Sequence, residues 1–110
     1  MNRNKIQLKT GNEIIFLTQE EIVAIQAENI NCIILLKENK IVKVALSLSA
    51  VLSLLDTKLF YKIHRSYVIN CDAIEKIDLT GSTVQLQYVN RAFPIARQQK
   101  KVFLAFLKER

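Results

Sequence analysis

Phe60-Tyr61-Lys62-Ile63-His64-Arg65-Ser66-Tyr67-Val68-Ile69-Asn70 sets a dense polar cluster, His64 to Tyr67, between two short apolar runs. Aromatic and β-branched residues dominate the flanks, which predicts two extended segments joined by a polar connection. Outward from this stretch the same texture recurs. Toward the N-terminus, Ile6-x-Leu8, a turn at Thr10-Gly11-Asn12 and Ile14-Ile15-Phe16-Leu17 predict one hairpin. Thr18-Gln19-Glu20-Glu21 predicts a short capped turn. A second hairpin runs from Ile22 to Ala27, turns at Glu28-Asn29-Ile30-Asn31 and returns from Ile33 to Leu36, with Ile41-Val42-Lys43-Val44 after a further turn. On the C-terminal side, Ile74-x-x-Ile77-x-Leu79, a turn at Thr80-Gly81-Ser82 and Val84-x-Leu86-x-Tyr88 predict a third. A last strand, Arg91 to Ile95, belongs at a sheet edge because Pro94 has no amide to donate.

Two segments change period. After Ser47, a plausible N-cap, the residues Leu48, Val51, Leu52 and Leu55 recur at helical spacing and predict an amphipathic helix of about two to three turns. From Gln98 to Lys108 a second helix is predicted, with Val102, Phe103 and Phe106 on one face and Arg97, Lys100, Lys101 and Lys108 on the other. The fold class is mostly β with two short helices.

The chain of 110 residues fits a single domain, residues 1–110. Half of its residues are hydrophobic and only 2 are Gly and 1 Pro, which excludes a disordered or low-complexity chain. Apolar runs are far shorter than the roughly 20 residues of a membrane helix, and no export segment opens the sequence. Cys32 and Cys71 stand apart without a CxxC or Cys/His cluster. That argues against a disulfide framework or a metal site and for a cytoplasmic protein without cofactors. The net charge of +6 is uneven: residues 1–57 carry six cations against six anions, and residues 58–110 carry ten against four. A basic field confined to one half suits a polyanion.

No enzyme is indicated. His64 and Ser66 lack a nucleophile elbow, the two glycines make no phosphate loop, and paired carboxylates are missing. For DNA the same cluster fits: Arg65 can donate two parallel bonds to guanine, His64 one to a base or phosphate, and the Ser66 hydroxyl one to phosphate. By themselves these residues read more readily as a solvated strand connection, because exposed Arg and His are common. Arg97-Gln98-Gln99-Lys100-Lys101 falls at a strand-to-helix junction, whose amides suit a phosphate. A solvated helix face is the plain reading of that segment, and a basic helix lying on an anionic membrane is a further one, set aside because its apolar face is needed to cap the β-core. A protein-interaction module that recruits or sequesters another regulator is the alternative function. Single-stranded RNA binding is weaker, since no paired aromatic platform is evident.

Taken together, these segments resemble the LytTR family, the DNA-binding domain of many bacterial response regulators. The likeness runs from about Ile6 to Leu107 and rests on the 60–70 stretch, on Ile74-x-x-Ile77 and on Pro94-Ile95-Ala96-Arg97. Glu21-Ile22-Val23-Ala24-Ile25 and Ser47-Leu48 support it. It implies an elongated stack of small antiparallel sheets whose end loops enter successive major grooves. The DNA-contacting positions it implies are Asn31, Cys32, His64, Arg65 and Arg97, with Lys100 and Lys101 near the backbone. Cys32 stands where the family often has an aromatic or His, and Ala96 where it often has Ser. A thiol facing DNA at that first loop could make binding redox-sensitive, the other reading of Cys32 being an inert packing residue. Direct repeats in double-stranded DNA, a homodimer formed on them, and an upstream sensor or receiver protein are the implied partners. No receiver or membrane domain is expected within the chain.

Overall fold

Alternating burial builds the first hairpin. In the computed structural model, which describes residues 4–110, Ile6, Leu8 and Leu17 turn inward from β1 (Lys5–Thr10) and β2 (Glu13–Thr18), while Lys5, Lys9 and Phe16 turn out. Gly11 adopts φ +61° between the strands, where a side chain would be strained. The predicted turn at Thr18 follows: the Glu21 carboxylate accepts from the Thr18 amide at 2.8 Å and from its hydroxyl at 2.9 Å.

β3 (Ile22–Glu28) shows no alternation, with Ile22, Val23, Ala24 and Ile25 all buried. Two causes combine. The strand is covered on both faces, and its register slips at Val23, so one extra residue shifts the pleat. β3 pairs with β4 (Asn31–Leu36) on one side and with β7 (Tyr67–Asn70) on the other; β5 (Lys40–Val44) and β6 (Phe60–His64) complete a five-stranded antiparallel sheet in the order β5-β4-β3-β7-β6. The hairpin β1–β2 and the helix α1 (Leu48–Leu52) cover one face, around Ile25, Ile34, Val51 and Phe60. A three-stranded sheet of β8 (Ile74–Asp78), β9 (Thr83–Leu86) and β10 (Ala92–Pro94) covers the other with α2 (Arg97–Lys108), around Ile63, Ile69, Phe93 and Phe103. The stack measures 44 × 32 × 24 Å. Mostly β, elongated and layered in small antiparallel sheets, it has the predicted class.

Local expectations hold in most places. The Ser47 hydroxyl accepts from the Ala50 amide at 3.1 Å, although α1 is only five residues long and its chain continues in turns to Leu55. β10 is an edge strand, as Pro94 requires. Val102 departs: it is 58% exposed, and α2 buries Phe103, with Phe106 and Leu107 packed at the edge of the same core. Asn70 is buried where β7 ends, donating to the Ile22 carbonyl at 2.9 Å and accepting from the Asp72 amide at 2.8 Å. One amide thereby ties β7, β3 and the next turn together. Among the described residues no helix is long and apolar enough to cross a membrane, and no group of His, Cys, Asp and Glu is arranged to hold a metal ion.

Candidate nucleic-acid interface

Three segments separate in sequence meet at one end of the five-stranded sheet. β6 and β7 are joined through Arg65 and Ser66, and β3 and β4 through Asn29 and Ile30. Because β3 and β7 are neighbours, the two turns lie side by side, and the Ala27 amide donates to the Ser66 carbonyl at 2.8 Å. α2 joins them from the opposite layer: the Ala96 amide at its N-cap donates to the Ile63 carbonyl at 2.8 Å. Ile63 is the extra residue of a bulge between Lys62 and His64, which frees its carbonyl for that bond and re-aims His64.

Between the turn and the helix lies an open cleft of about 360 Å³ lined by Lys62, His64, Arg65, Ala96, Gln98 and Gln99. The His64 Nδ1 accepts from the Ser66 amide at 3.1 Å. That assignment leaves Nε2–H as the donor available to a ligand. Arg65 is exposed at the tip of the turn, and Arg97 and Lys101 are exposed on α2 about one helical turn apart. Ala96 brings no side-chain cap, so no side chain satisfies the first amides of α2, whose partial positive charge lies at this end. The one acid on the neighbouring turn, Glu28, is neutralised by Lys43 at 3.0 Å. Cations thus dominate this end. Its helix is held from beneath, since the Tyr61 ring packs 5.0 Å from Phe103 and 4.7 Å from Phe106, and its hydroxyl lies 3.4 Å from Gln99 Oε1.

Of the residues named from sequence, Asn31, His64, Arg65, Ser66, Arg97 and Lys101 come together at this end. Two do not. Lys100 is rotated off the face, and its Nζ donates to the Leu79 carbonyl at 2.5 Å, at the turn between β8 and β9. Cys32 is a correction: it is the second residue of β4, fully buried beside Ile34 and Val44, and its sulfur faces the core instead of a ligand. The alternation Cys32-x-Ile34-x-Leu36 carried that signal. Lys62, Gln98 and Gln99 line the cleft without having been singled out, because their place depends on how α2 docks.

Burial pushes the Cys32 thiol up from its ordinary pKa. Burial likewise raises Cys71, to about 11, a rise that Asp72 adds to and Arg110 opposes. Burial, then the neighbouring Cys71, raises the Tyr61 phenol. Because an unfolded thiol loses its proton first, near 9, the stability due to Cys71 falls as pH rises from 9.0 toward about 11. In the folded protein at pH 8 neither thiol is expected to react with a disulfide reagent, and both should react after denaturation. Fast native labelling of Cys32 would return it to the surface.

The comparisons with known proteins agree with this geometry. A solved structure described as the LytTr DNA-binding domain of a methyl-accepting/DNA response regulator from Bacillus cereus superposes with a TM-score of 0.75 at 23% identity, covering 94% of this chain and 96% of that one. At that identity the likeness speaks for the fold. No curated protein sequence matches the chain. Residues 12–108 match the family described as the LytTr DNA-binding domain. That match runs through nine of the ten strands, from β2 onward, and through both helices, so the chain belongs to the LytTR family of DNA-binding domains.

Proposed function

We propose that this chain reads double-stranded DNA sequence-specifically, as a bacterial transcriptional regulator, by inserting the turn at His64–Ser66 and the start of α2 into the major groove. One observation supports the reading: the bonds from Ala27 to Ser66 and from Ala96 to Ile63 bring the turn that carries His64 and Arg65 beside the start of α2, which Arg97 opens. Arg65 and Arg97 are the candidates for base edges, where the planar guanidinium pairs with guanine O6 and N7. His64 Nε2–H and the asparagine turn at Asn29–Asn31 supplement them. Phosphates lie against Lys101, the Ser66 hydroxyl and the first amides of α2. Lys62 stands in the cleft and adds charge. Binding is to direct repeats, one copy each, by a monomer that pairs on DNA and takes its input from a sensor or receiver protein in the cytoplasm.

The test is recovery of sheared genomic DNA by the purified protein, followed by sequencing, at roughly physiological salt because affinity depends on it. Enrichment of a short repeated motif upstream of genes is expected. Uniform recovery would remove base readout and favour the interaction module, for which Ile14 and Phe16, 61% and 57% exposed on the outer face of β2, are one exposed apolar pair. On the recovered site, Lys101→Ala is expected to weaken specific and random duplexes alike and to flatten the salt dependence by about one ion. An unchanged slope would remove Lys101 from the interface.

A further inference from the structure

We propose that Arg91 is the positioning residue of the DNA-reading end: it clamps the last rung between β3 and β7 and, through Tyr67, fixes the turn that presents His64 and Arg65. The inference rests on the DNA-reading role proposed above. Arg91 comes from a different layer, immediately before β10 of the three-stranded sheet. Its guanidinium donates to Gln26 Oε1. The same group lies 4.6 Å from the centroid of the Phe93 ring and 5.8 Å from that of Tyr67. Gln26 and Tyr67 are register partners, and theirs is the final rung before both turns leave the sheet. The next link is the bond from the Ala27 amide to the Ser66 carbonyl, within the turns themselves.

From this rung the contacts continue outward. The Tyr67 ring stands edge-on to Phe93 at 5.4 Å and 78°, and lies 5.4 Å from the His64 ring. Guanidinium, Phe93, Tyr67 and His64 therefore form one packed series ending at the site. Arginine suits the place for a specific reason. Its planar group stacks on aromatic faces while its in-plane N–H groups donate, which the compact ammonium of lysine does not reproduce. A turn held in its binding geometry before DNA arrives loses less freedom on binding. Arg91 is itself exposed, so a direct phosphate contact is the competing role, and the two predict different results.

The experiment compares the wild type with Arg91→Ala, Arg91→Lys, His64→Ala and the Arg91→Ala/His64→Ala pair. Affinity is measured for the recovered genomic site and for random duplex across a salt series, and the His64 imidazole resonances are followed in the free protein. A positioning role predicts about a tenfold loss for Arg91→Ala on the specific site, with random-duplex affinity and salt slope unchanged. It also predicts moved His64 resonances, a doubly substituted chain that loses less than the two single losses combined, and Arg91→Lys behaving like Arg91→Ala. Arg91→Lys keeps the charge and stem, and so guards against a folding failure in the alanine variant. Equal loss on both duplexes with a slope lower by about one ion, restored by lysine, would make Arg91 a phosphate contact and overturn the proposal. Wild-type affinity with unmoved resonances would overturn it as well. A wild type without site preference would overturn the DNA-reading role, and the role of Arg91 with it; the other two failures leave that preference intact and sink the clamp alone.

Discussion

Phe103→Ala is expected to cost about 3–5 kcal/mol of unfolding free energy, the range for emptying a fully buried aromatic position. Phe103 has no exposed surface and packs against Tyr61, with Ile63, Ile69 and Phe93 in the same core. α2 spans twelve residues, a length at which an isolated helix is marginal in water, so its stability comes from this packing. Against a total of about 5–15 kcal/mol for a domain, the loss is a large fraction. It also reaches the site, because the Ala96 bond to Ile63 and the position of Arg97 both depend on a docked α2. Urea unfolding followed by circular dichroism measures the first effect and DNA affinity the second. Val102→Ala, one residue away on the exposed side, is the control and should stay within about 0.5 kcal/mol. Equal effects from the two variants would mean that the helix is not docked on this face.

Arg97→Ala is expected to cost about 1–3 kcal/mol on the specific site and to relax preference at one base pair. Arg97 opens α2 and is exposed beside a cleft that already holds Lys62, His64 and Arg65. Neither its charge nor its donors are taken up by the ion pairs found among the described residues, which join Lys40 to Glu38, Lys43 to Glu28 and Arg110 to Asp72. A guanidinium that reads a base should lose affinity on the correct site and little on random duplex. Equal losses on both would reduce Arg97 to a phosphate contact. Arg97→Lys separates the cases further, since lysine retains the charge without the bidentate fork.

Much of the candidate site was legible in sequence because its parts are short and polar inside apolar surroundings. His64, Arg65 and Ser66 form the connection between two β-branched runs, and Arg97 follows a proline-marked edge strand. Cys32 comes from the resemblance, which carries over a contact position beside the turn Glu28–Asn31 and takes no account of where the pleat starts. Once β4 begins at Asn31, the pleat sends Cys32 inward with Ile34 and Leu36. Lys100 was misplaced because a helical wheel fixes angles within a helix but not the neighbour each angle meets. Here that neighbour is the Leu79 carbonyl. For the same reason Val102 was assigned to the buried face, although docking turned α2 toward Phe103 and Phe106.

What the sequence determined by itself is local: ten short extended segments, most of them alternating or β-branched, the turns at Gly11 and Asn29, the cap at Ser47 and the edge position of Pro94. Each depends on residues within a few positions of one another, where backbone sterics and side-chain period suffice. The tertiary structure alone decided that β7 lies against β3, that bulges fall at Val23 and Ile63, and that Arg91 reaches Gln26 across 65 positions. Strand pattern marks which face is apolar but not which partner will cover it. A strand such as β3, covered on both faces, loses even that mark. The site is assembled from those pairings, so its residues could be named from sequence but their meeting at one end could not.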